Sequence, residues 1–405
     1  MPLRLLFIHN NFPGQFLQLI RHLRERPDVA ITFISGPTPN HLQRVRLFTY
    51  PALKVSGWAV FHERGLAVQR IIAKLLHKGE NFDAVLAHLP FGDALYLRNV
   101  LPRVPFIVLP EFYSSTDRDL AQFFRAHAYA AHFSGSNVEV SQANNVIAKG
   151  VLDADIAVVP TKYQRAQFPE ALQRAIRVLH EGLEDRLFEV DDEPALKLPS
   201  GEHVRKGDEV VTFATRSLEP LRGYDTFLRA AQLVAARRPN TRFLVAGNET
   251  HSYSGSPRGF ANWRQKLEKE ISLPSGRLIF LGLLERSLHI NLLRISAAHV
   301  YLTAPFVVSW SLLEAMALRA PIIASATEPV EEFILDRQTG LLVDFFDANS
   351  VAERIELLLE DKNLGRDLGD RAGEAVQHLA AKRLLSSWYA LLASVLPQDK
   401  RPTLS

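Results

Sequence analysis

The sequence of 405 residues contains no cysteine. Disulfide bonds and thiolate metal sites are therefore excluded, and the absence fits a reducing compartment such as the cytoplasm. No apolar run approaches the roughly 20 residues that span a bilayer, which predicts a soluble protein or one bound peripherally to a membrane. The string Gly-x-Gly-x-x-Gly, which is typical of dinucleotide oxidoreductases, is absent as well.

Positive and negative charges nearly balance, with a formal net charge of +3, but they are unevenly distributed along the sequence. The first 100 residues contain twelve Lys and Arg against six Asp and Glu, whereas residues 181–193 are acidic. A basic N-terminal half favours contact with an anionic surface or substrate. The alternative is a solvated face that has no partner.

The length predicts two domains, since a domain has roughly 100–200 residues. Short apolar runs rich in β-branched residues alternate with segments of helical periodicity, as in a parallel sheet with crossover helices. We therefore predict an α/β fold of two Rossmann-like βαβ domains, residues 1–190 and 209–379, that face each other across a deep cleft. An acidic segment with Pro and Gly, residues 191–208, is the predicted linker.

The first domain is predicted to open with a buried strand, Leu3–His9. Its apolar run is too short for a signal peptide. The turn that follows contains Gly14 and Gln15, and it either lets the backbone approach a ligand or is an ordinary strand-to-helix turn. Two later strands end at His88 and just before Glu111. Since ligands bind at the carboxyl ends of parallel strands, these side chains are candidates for a cleft wall, or simply hydrogen-bonded structure.

A helix is predicted at Leu66–Lys78, with Arg70, Lys74 and Lys78 recurring every fourth residue. This basic stripe is able to seat on an anionic membrane. The alternative is a helix that faces the core and has its basic stripe in solvent.

In the second domain, Arg216 and Arg222 flank the loop after the first strand, and Gly223 opens the next helix. Guanidinium groups match phosphate oxygens, and a helix N-terminus adds to the attraction. The pair is therefore a candidate diphosphate site, the alternative being two surface arginines.

The loop Pro305–Ser311 is predicted to present backbone N–H groups at another helix N-terminus. Glu314 lies one turn further on, where its carboxylate is able to accept both hydroxyls of a ribose. Ser311 and Glu314 also have the spacing of a capping box, in which the carboxylate bonds the Ser311 N–H instead. Spacing alone does not decide between the two. A strand-end turn at 282–284 offers backbone groups to a base edge, which is a weak signal by itself.

Several segments resemble glycosyltransferase family 4, whose members are retaining enzymes of the GT-B type that use nucleotide sugars. The resemblance covers most of the chain, and the segments that carry it are Asn-Phe-Pro-Gly-Gln-Phe (11–16), Val-Leu-His-Glu-Gly (178–182), Arg-x5-Arg-Gly (216–223), Ser-Leu-Leu-Glu-Ala-Met-Ala (311–317), Pro-Ile-Ile-Ala-Ser (321–325), Glu-Pro-Val-Glu-Glu (328–332) and Gly-Leu-Leu-Val-Asp (340–344). It implies that a C-terminal helix, at about 380–405, packs back on the first domain.

The resemblance also implies roles for single residues. Arg216 and Arg222 would hold the donor diphosphate and stabilise charge on the leaving nucleotide. Glu111 falls near the position of the family's cleft histidine and is the candidate polar group near the reacting centre, with His88 second. The implied donor-binding residues are Gly14, Gln15, Leu283, Leu284, Ser309, Trp310, Ser311 and Glu314.

Two positions depart from the family pattern. Phe306 stands where the family has the first of two glutamates, which contacts the hydroxyls of the donor sugar, and Ser309 replaces a glycine. The sequence is closer to a subset of the family with Pro-Phe-Val-x-Ser-Trp-Ser-Leu-Leu-Glu at this place. The rival hypothesis from another class is a transferase-like binding or scaffold subunit without activity.

The resemblance implies transfer of a sugar from a nucleotide-diphosphate sugar to a hydroxyl of a glycan or glycolipid, with retention and without a cofactor. Two Asp-x-Asp strings, at 117–119 and 153–155, do not directly end a hydrophobic strand, so we predict no essential metal. We expect a cytoplasmic protein, with peripheral membrane contact as a hypothesis and no nucleic-acid partner. The base, sugar and acceptor are not determined by the sequence.

Overall fold

The structure is a computed structural model that describes residues 2–114, 120–133, 137–189, 193–250 and 254–401. The chain divides into two compact units. Unit 1 contains Met1–Asp119, Gly135–Gly182 and Ala381–Ser405. Unit 2 contains Leu120–Ser134 and Leu183–Ala380. Each unit is built on its own parallel sheet, and each is described separately below.

The sheet of unit 1 has seven strands in the order β3-β2-β1-β4-β5-β6-β7. All its pairings are parallel. Parallel strands covered on both faces become continuous apolar runs, as in these: β1 (Leu3–Ile8), β2 (Val29–Ser35), β3 (Val45–Thr49), β4 (Ala84–His88), β5 (Phe106–Leu109), β6 (Ile156–Val159) and β7 (Ile176–Val178). The strand order reverses between β1 and β4, and that point is where ligands bind in such sheets.

Unit 2 contains a small antiparallel pair, β8 and β9, and a parallel sheet of six strands in the order β12-β11-β10-β13-β14-β15. Here the order reverses between β10 and β13. The strands are β8 (Ala195–Lys197), β9 (His203–Arg205), β10 (Val210–Ser217), β11 (Arg242–Asn248), β12 (Leu278–Gly282), β13 (Ala298–Tyr301), β14 (Ile322–Ser325) and β15 (Leu341–Val343).

Helices connect the strands of both sheets. In chain order they are α1 (Leu17–Leu23), α2 (Ala59–His77), α3 (Leu97–Val100), α4 (Leu120–Phe123), α5 (Asn137–Asp153), α6 (Lys162–Ala166), α7 (Glu170–Gln173), α8 (Tyr224–Arg237), α9 (Trp263–Glu270), α10 (Arg286–Arg294), α11 (Trp310–Ala317), α12 (Glu328–Glu331), α13 (Ala348–Glu360), α14 (Lys362–Val376) and α15 (Ala381–Val395). Helix α2 begins at Ala59, seven residues before the start predicted at Leu66. Gly65, which precedes the predicted start, lies inside the helix. A Cβ at Gly65 would lie 2.8 Å from the Tyr96 ring, so this glycine permits close packing and does not end the helix.

The core of unit 1 lies on both faces of its sheet. Leu5 and Phe7 of β1 belong to one buried cluster, whereas Leu6 and Ile8 belong to another on the opposite face. This alternation follows from the two-residue period of a strand. On α2 the buried side chains include Val68, Ile72 and Leu75, and the predicted basic stripe is exposed to solvent.

Helix α15 completes the core of unit 1. Trp388 and Leu392 are buried in the same cluster as Leu5 and Phe7. The Trp388 indole Nε1 donates a hydrogen bond of 3.0 Å to the carbonyl oxygen of His180. The prediction that a C-terminal helix packs back on the first domain is confirmed.

Residues 120–133 pack in unit 2, although unit 1 stretches precede and follow them in the sequence. Phe124 is fully buried, and its ring stacks on Phe133 with centroids 3.8 Å apart. Tyr129 meets Trp263 edge-on at 4.9 Å. The predicted first domain, residues 1–190, includes this segment, because aromatic contacts to residues more than a hundred positions away leave no local periodicity in the sequence.

The segment predicted as a linker, 191–208, contains the β8–β9 hairpin. Leu196 and Val204 pair across it and are buried with Val210, Leu244 and Leu292. The hairpin therefore belongs to the core of unit 2. Its Pro and Gly residues lie in turns. The segment resembles a linker in sequence only because each of its two strands is three residues long.

Candidate functional site

The end of β10 leads to the first candidate group of unit 2. Arg216 lies near the end of the strand and is exposed. Arg222 lies in a short 3-10 helix, Pro220–Arg222, and is only 8% exposed. Gly223 follows with φ 65°, and a Cβ there would lie 2.5 Å from the Cβ of Leu302. Glycine is therefore required for the turn that holds Arg222 against β13.

The guanidinium of Arg222 is buried without a counter-charge. Its Nη1 donates to Thr303 Oγ1 at 2.8 Å, and no carboxylate among the described residues forms an ion pair with it. A buried charge is costly unless it is paired. Arg222 lies where the strand order reverses, at the start of α8, so an anion bound there would be attracted by both the guanidinium and the helix.

Thr303, the partner of Arg222, is itself fixed by the end of β14. The Thr303 N–H donates to Ser325 Oγ at 3.0 Å, and the Ser325 hydroxyl lies 3.0 Å from the Thr303 carbonyl oxygen. Thr327 Oγ1 lies 3.4 Å from the same oxygen. The ends of β13 and β14 thus hold Arg222 through ordinary hydrogen bonds.

The loop after β13 leads into α11, which begins at Trp310. Ser309 is the N-cap residue, and its side chain does not cap the helix. The Ser309 N–H donates to the Tyr301 hydroxyl at 3.1 Å, and the hydroxyls of Ser309 and Ser311 lie 2.6 Å apart. Trp310 is 42% exposed. Phe306, at the departure from the family pattern, is half-buried.

Glu314 does not form the capping box that its spacing allows. Arg286 of α10 binds both of its carboxylate oxygens, at 2.8 and 2.7 Å, and His289 Nε2 lies 3.5 Å away. Burial alone would raise the pKa of Glu314, but the bonds to His289 and Arg286 outweigh burial and lower it. Glu314 is therefore a buried, ionised carboxylate. The sequence missed Arg286 and His289, since only the packing of α10 against α11 brings them to it.

The two leucines after β12 differ in exposure. β12 ends at Gly282, which has φ 68°. Leu283 is 72% exposed, whereas Leu284 packs against the cluster that contains Leu196 and Leu244. Of the two predicted base contacts, Leu283 is thus the one with a free side chain.

Unit 1 brings four predicted site residues together, where its strand order reverses. His88 Nε2 lies 2.8 Å from the Glu111 carboxylate and 3.4 Å from Gln15 Nε2. Gln15 follows Gly14, whose φ is 55°. A Cβ at Gly14 would lie 2.5 Å from the imidazole of His9, so glycine lets this turn lie directly on that ring.

His9 belongs to this group, although the sequence analysis did not select it. It follows β1 as His88 ends β4, so the same strand-end rule was able to find it. The two imidazoles stack at 4.2 Å. Burial and the neighbouring His88 lower the pKa of His9 well below 6.5 despite the bond to Gln15. His9 Nδ1 accepts from the Asn11 N–H at 2.8 Å, so Nε2 carries the proton and donates to Gln15 Oε1.

Glu111 has a left-handed backbone, with φ 57°. Such a conformation costs of order 1–3 kcal/mol in a non-glycine residue and tends to occur at functional sites. The Gln164 side chain donates to the Glu111 carbonyl oxygen at 2.7 Å and holds it there. The Glu111 side chain is 30% exposed, in contrast to the buried His88 that it contacts.

A second polar pair, Asp93 and Tyr50, lies buried beside His88. The Tyr50 hydroxyl lies 2.5 Å from Asp93 Oδ1 and 3.0 Å from Asn10 Oδ1. Burial raises the pKa values of both Asp93 and Tyr50. One hydroxyl proton cannot serve two acceptors, so a protonated Asp93 that donates to Tyr50 would leave the Tyr50 hydroxyl free to donate to Asn10.

No group of three or more His, Asp or Glu side chains in the described ranges is arranged to hold a metal ion. Of the two Asp-x-Asp strings, the one at 117–119 lies outside the described residues. In the other, Asp153 pairs with Lys149, and Asp155 accepts from Arg98 and from the Phe106 N–H. Metal independence remains a prediction.

Two family models match successive parts of the chain. The model described as "Glycosyl transferase family 4 group" matches residues 30–188, and the model described as "Glycosyl transferases group 1" matches residues 200–375. The chain belongs to glycosyltransferase family 4.

Curated relatives of this family 4 chain include the D-inositol 3-phosphate glycosyltransferase of Mycobacteroides abscessus. The two are 29% identical over 247 residues, which is 60% of this chain and 52% of the relative. The N-acetyl-alpha-D-glucosaminyl L-malate synthase of Bacillus anthracis is 34% identical over 90 residues, 22% of this chain and 24% of that protein. The chain spans about half the length of the first curated relatives it matches.

Solved structures resemble the family 4 chain over nearly its whole length. Sucrose-phosphate synthase from Thermosynechococcus elongatus has a TM-score of 0.71 at 17% identity, covering 97% of this chain and 100% of that one. HepE of Anabaena, in complex with UDP-glucose, has a TM-score of 0.67 at 15% identity, covering 96% and 99%. The likeness confirms the predicted fold class, a GT-B fold of two Rossmann-like units.

Within the described part of this family 4 chain, every helix is too short or too polar to cross a membrane.

Proposed function

We propose that the protein is a retaining glycosyltransferase that moves a sugar from a nucleotide-diphosphate sugar to a hydroxyl group of a glycan or glycolipid. Membership of family 4 supports glycosyl transfer in general. HepE, a structural neighbour, was crystallised with UDP-glucose, and with UDP and glucose. A uridine diphosphate sugar is therefore the first donor to test.

The observation that carries the proposal is the unpaired guanidinium of Arg222. It is buried where the strand order of unit 2 reverses, in a turn that requires Gly223. Replacing it with an apolar residue of similar volume would leave the fold about as stable or more stable. A diphosphate bound to this guanidinium, with Arg216 as a second and more mobile cation, explains why a buried charge is present there.

The proposed reaction needs no protein nucleophile. The bond between the sugar C1 and the diphosphate oxygen breaks, and the leaving nucleotide takes the electron pair. The acceptor oxygen bonds to C1 from the same face, and its proton passes to the leaving phosphate. Arg222 and Arg216 stabilise the charge that develops on the diphosphate.

We assign the polar group of unit 1 to the acceptor side. Glu111 has one carboxylate oxygen on His88 and a second that is able to accept a hydrogen bond from an acceptor hydroxyl. Its left-handed backbone supports a functional position. Gln15 is fixed in the same group by the hydrogen bond from His9.

Peripheral contact with an anionic membrane is part of the proposal, together with a role in polysaccharide or glycolipid assembly at the cytoplasmic face. Arg70, Lys74 and Lys78 are exposed along one side of α2. Each basic residue near an anionic surface contributes about 1 kcal/mol of attraction. Vesicle flotation tests the idea: binding should require phosphatidylserine and weaken when the three residues become Gln, whereas equal flotation with neutral vesicles would contradict it.

The proposed function is tested by calorimetric titration with UDP, GDP, ADP and TDP, without added metal. We expect one nucleotide to bind, and Glu314→Ala to weaken it by about 1.5–3 kcal/mol if the carboxylate bonds the ribose. Arg319→Gln is the control, because it removes an exposed ion pair with Asp370. Transfer is then measured with the matching sugar nucleotides. A chain that binds none of the four nucleotides would contradict the proposal.

One observation favours the alternative of a non-catalytic binding subunit. Phe306 removes the carboxylate that family members use to contact the donor sugar. The assay with sugar nucleotides distinguishes the two hypotheses. A binding subunit would take up nucleotide without releasing sugar to water or to an acceptor, whereas the transferase should show slow donor hydrolysis even without its acceptor.

A further inference from the structure

The strongest ion pair near the proposed nucleotide site joins Arg286 and Glu314. Both carboxylate oxygens of Glu314 bind the guanidinium, at 2.8 and 2.7 Å. The Glu314 side chain is 11% exposed and that of Arg286 is 33% exposed. Two parallel hydrogen bonds fix the plane of a carboxylate, which a single bond does not.

Arg286 occupies a position that helix electrostatics disfavours. It is the first residue of α10, where the positive end of the helix dipole repels a cation. Two carboxylates offset this repulsion, since Arg286 Nε also lies 3.3 Å from Glu184, which in turn binds Arg186 at 2.6 Å. The network holds the guanidinium in place from two sides, so the position of Arg286 is set before any ligand binds.

The ion pair fixes one orientation of the Glu314 carboxylate. The N-cap of α11 is Ser309, so Ser311 lies inside the helix and does not form a capping box with Glu314. Arg286 and His289 are therefore the side chains that orient the carboxylate. Each carboxylate oxygen accepts about two hydrogen bonds. Oε1 therefore retains a site beyond the one that Arg286 takes, whereas Oε2 also has His289 Nε2 at 3.5 Å.

We propose that Arg286 is a positioning residue for ribose recognition: it holds the carboxylate of Glu314 so that the remaining acceptor site of Oε1 faces the vicinal hydroxyls of a nucleotide ribose. The inference rests on the proposed function, because it assumes a nucleotide at this edge of unit 2. Arg286 acts through Glu314 and does not itself touch the ribose.

The test compares UDP with 2′-deoxy-UDP. Wild-type protein should bind UDP at least about tenfold more tightly, the value of one hydrogen bond to a charged group. In Arg286→Gln the ratio should fall to within about threefold, because UDP loses affinity while 2′-deoxy-UDP keeps nearly all of its own. Arg286→Lys keeps the charge but cannot form two parallel bonds, so it should show the same loss of discrimination.

Two further variants complete the design. Arg294→Gln lies at the other end of α10 and donates to the Glu189 carbonyl oxygen instead, so its ratio should equal that of the wild type. In a Glu314→Ala background, adding Arg286→Gln should not change the ratio further. Thermal unfolding of each variant checks folding, since a general folding defect lowers the affinities for both nucleotides together.

The outcomes separate this inference from the proposed function. If UDP, GDP, ADP and TDP all fail to bind the wild type, the proposed function itself fails. If UDP binds but the wild type does not prefer it to 2′-deoxy-UDP, or if Arg286→Gln retains the wild-type ratio, the positioning role is refuted. A ratio that rises in Arg286→Gln would also refute it, because Arg286 would then compete with the ribose.

Discussion

Replacing Arg222 by Met should weaken nucleotide binding without weakening the fold. In the structure the guanidinium is 8% exposed, and one of its N–H groups donates to Thr303. The other N–H groups remain for a ligand. Methionine fills much of the same volume and removes the charge.

Both magnitudes follow from these contacts. Loss of hydrogen bonds from a charged donor to the diphosphate should cost about 1.5–3 kcal/mol, which is roughly a 10- to 100-fold rise in Kd for UDP. Replacement of buried charges by apolar groups of similar volume is neutral or stabilising by about 1–4 kcal/mol. Loss of the bond to Thr303 costs about 1 kcal/mol. The free energy of unfolding of unit 2 should therefore change by between a loss of about 1 kcal/mol and a gain of about 3 kcal/mol.

The assays are calorimetric titration with UDP and urea unfolding without ligand. Arg319→Met is the matched control, because its side chain is 49% exposed and pairs with Asp370 at 2.9 Å. That variant should change neither quantity appreciably. An Arg222→Met protein that binds UDP normally but loses about 2 kcal/mol or more of stability would refute the reasoning, since Arg222 would then be a structural residue.

Three other variants test neighbouring parts of the structure. Gly223→Ala should lower both stability and UDP affinity, because a Cβ there meets Leu302 at 2.5 Å in a backbone with φ 65°; thermal unfolding and titration would show it, and unchanged affinity would contradict the turn's role. Phe124→Ala should destabilise unit 2 by about 3–5 kcal/mol, whereas unit 1, followed by the fluorescence of Trp388, should keep its midpoint in urea. Burial raises the pKa of Asp93 above 3.8, so the folded chain holds this proton to higher pH than the unfolded chain. Its stabilising contribution is complete below the unfolded pKa and declines as pH rises through the folded pKa. The free energy of unfolding of the wild type relative to Asp93→Asn should therefore fall across that window, and a constant difference would contradict it.

Sequence periodicity predicted the parts of the fold that local rules determine. Buried parallel strands are continuous apolar runs, and polar residues at their ends mark the edge where ligands bind. This rule selected His88 and Glu111, which the structure brings into contact. The rule applies to His9 too, but the polar residues that follow His9 have the pattern of a turn, which indicates Gly14 and Gln15 instead.

The features that sequence could not predict depend on distant packing. Arg286 and Glu314 are 28 positions apart, and no spacing rule connects the first turn of one helix with the second turn of the next. Phe124 lies in a short segment without periodicity, so nothing local assigns it to unit 2. The capping-box pattern at Ser311 is a local rule that failed, because α11 begins earlier, with Ser309 as its N-cap, and because Arg286 binds the Glu314 carboxylate.

Synthesis of the chain imposes an order on the two cores. All of unit 2 has been synthesised once residue 380 has left the ribosome, because its aromatic segment, 120–133, emerges long before. The core of unit 1 waits for Trp388 and Leu392, which are synthesised after unit 2. Although the first strands of unit 1 precede unit 2 in the sequence, the core of unit 1 is completed after that of unit 2. A nascent chain that stops between the two points should thus protect Phe124 from protease while the apolar strands of unit 1 stay exposed to chaperones.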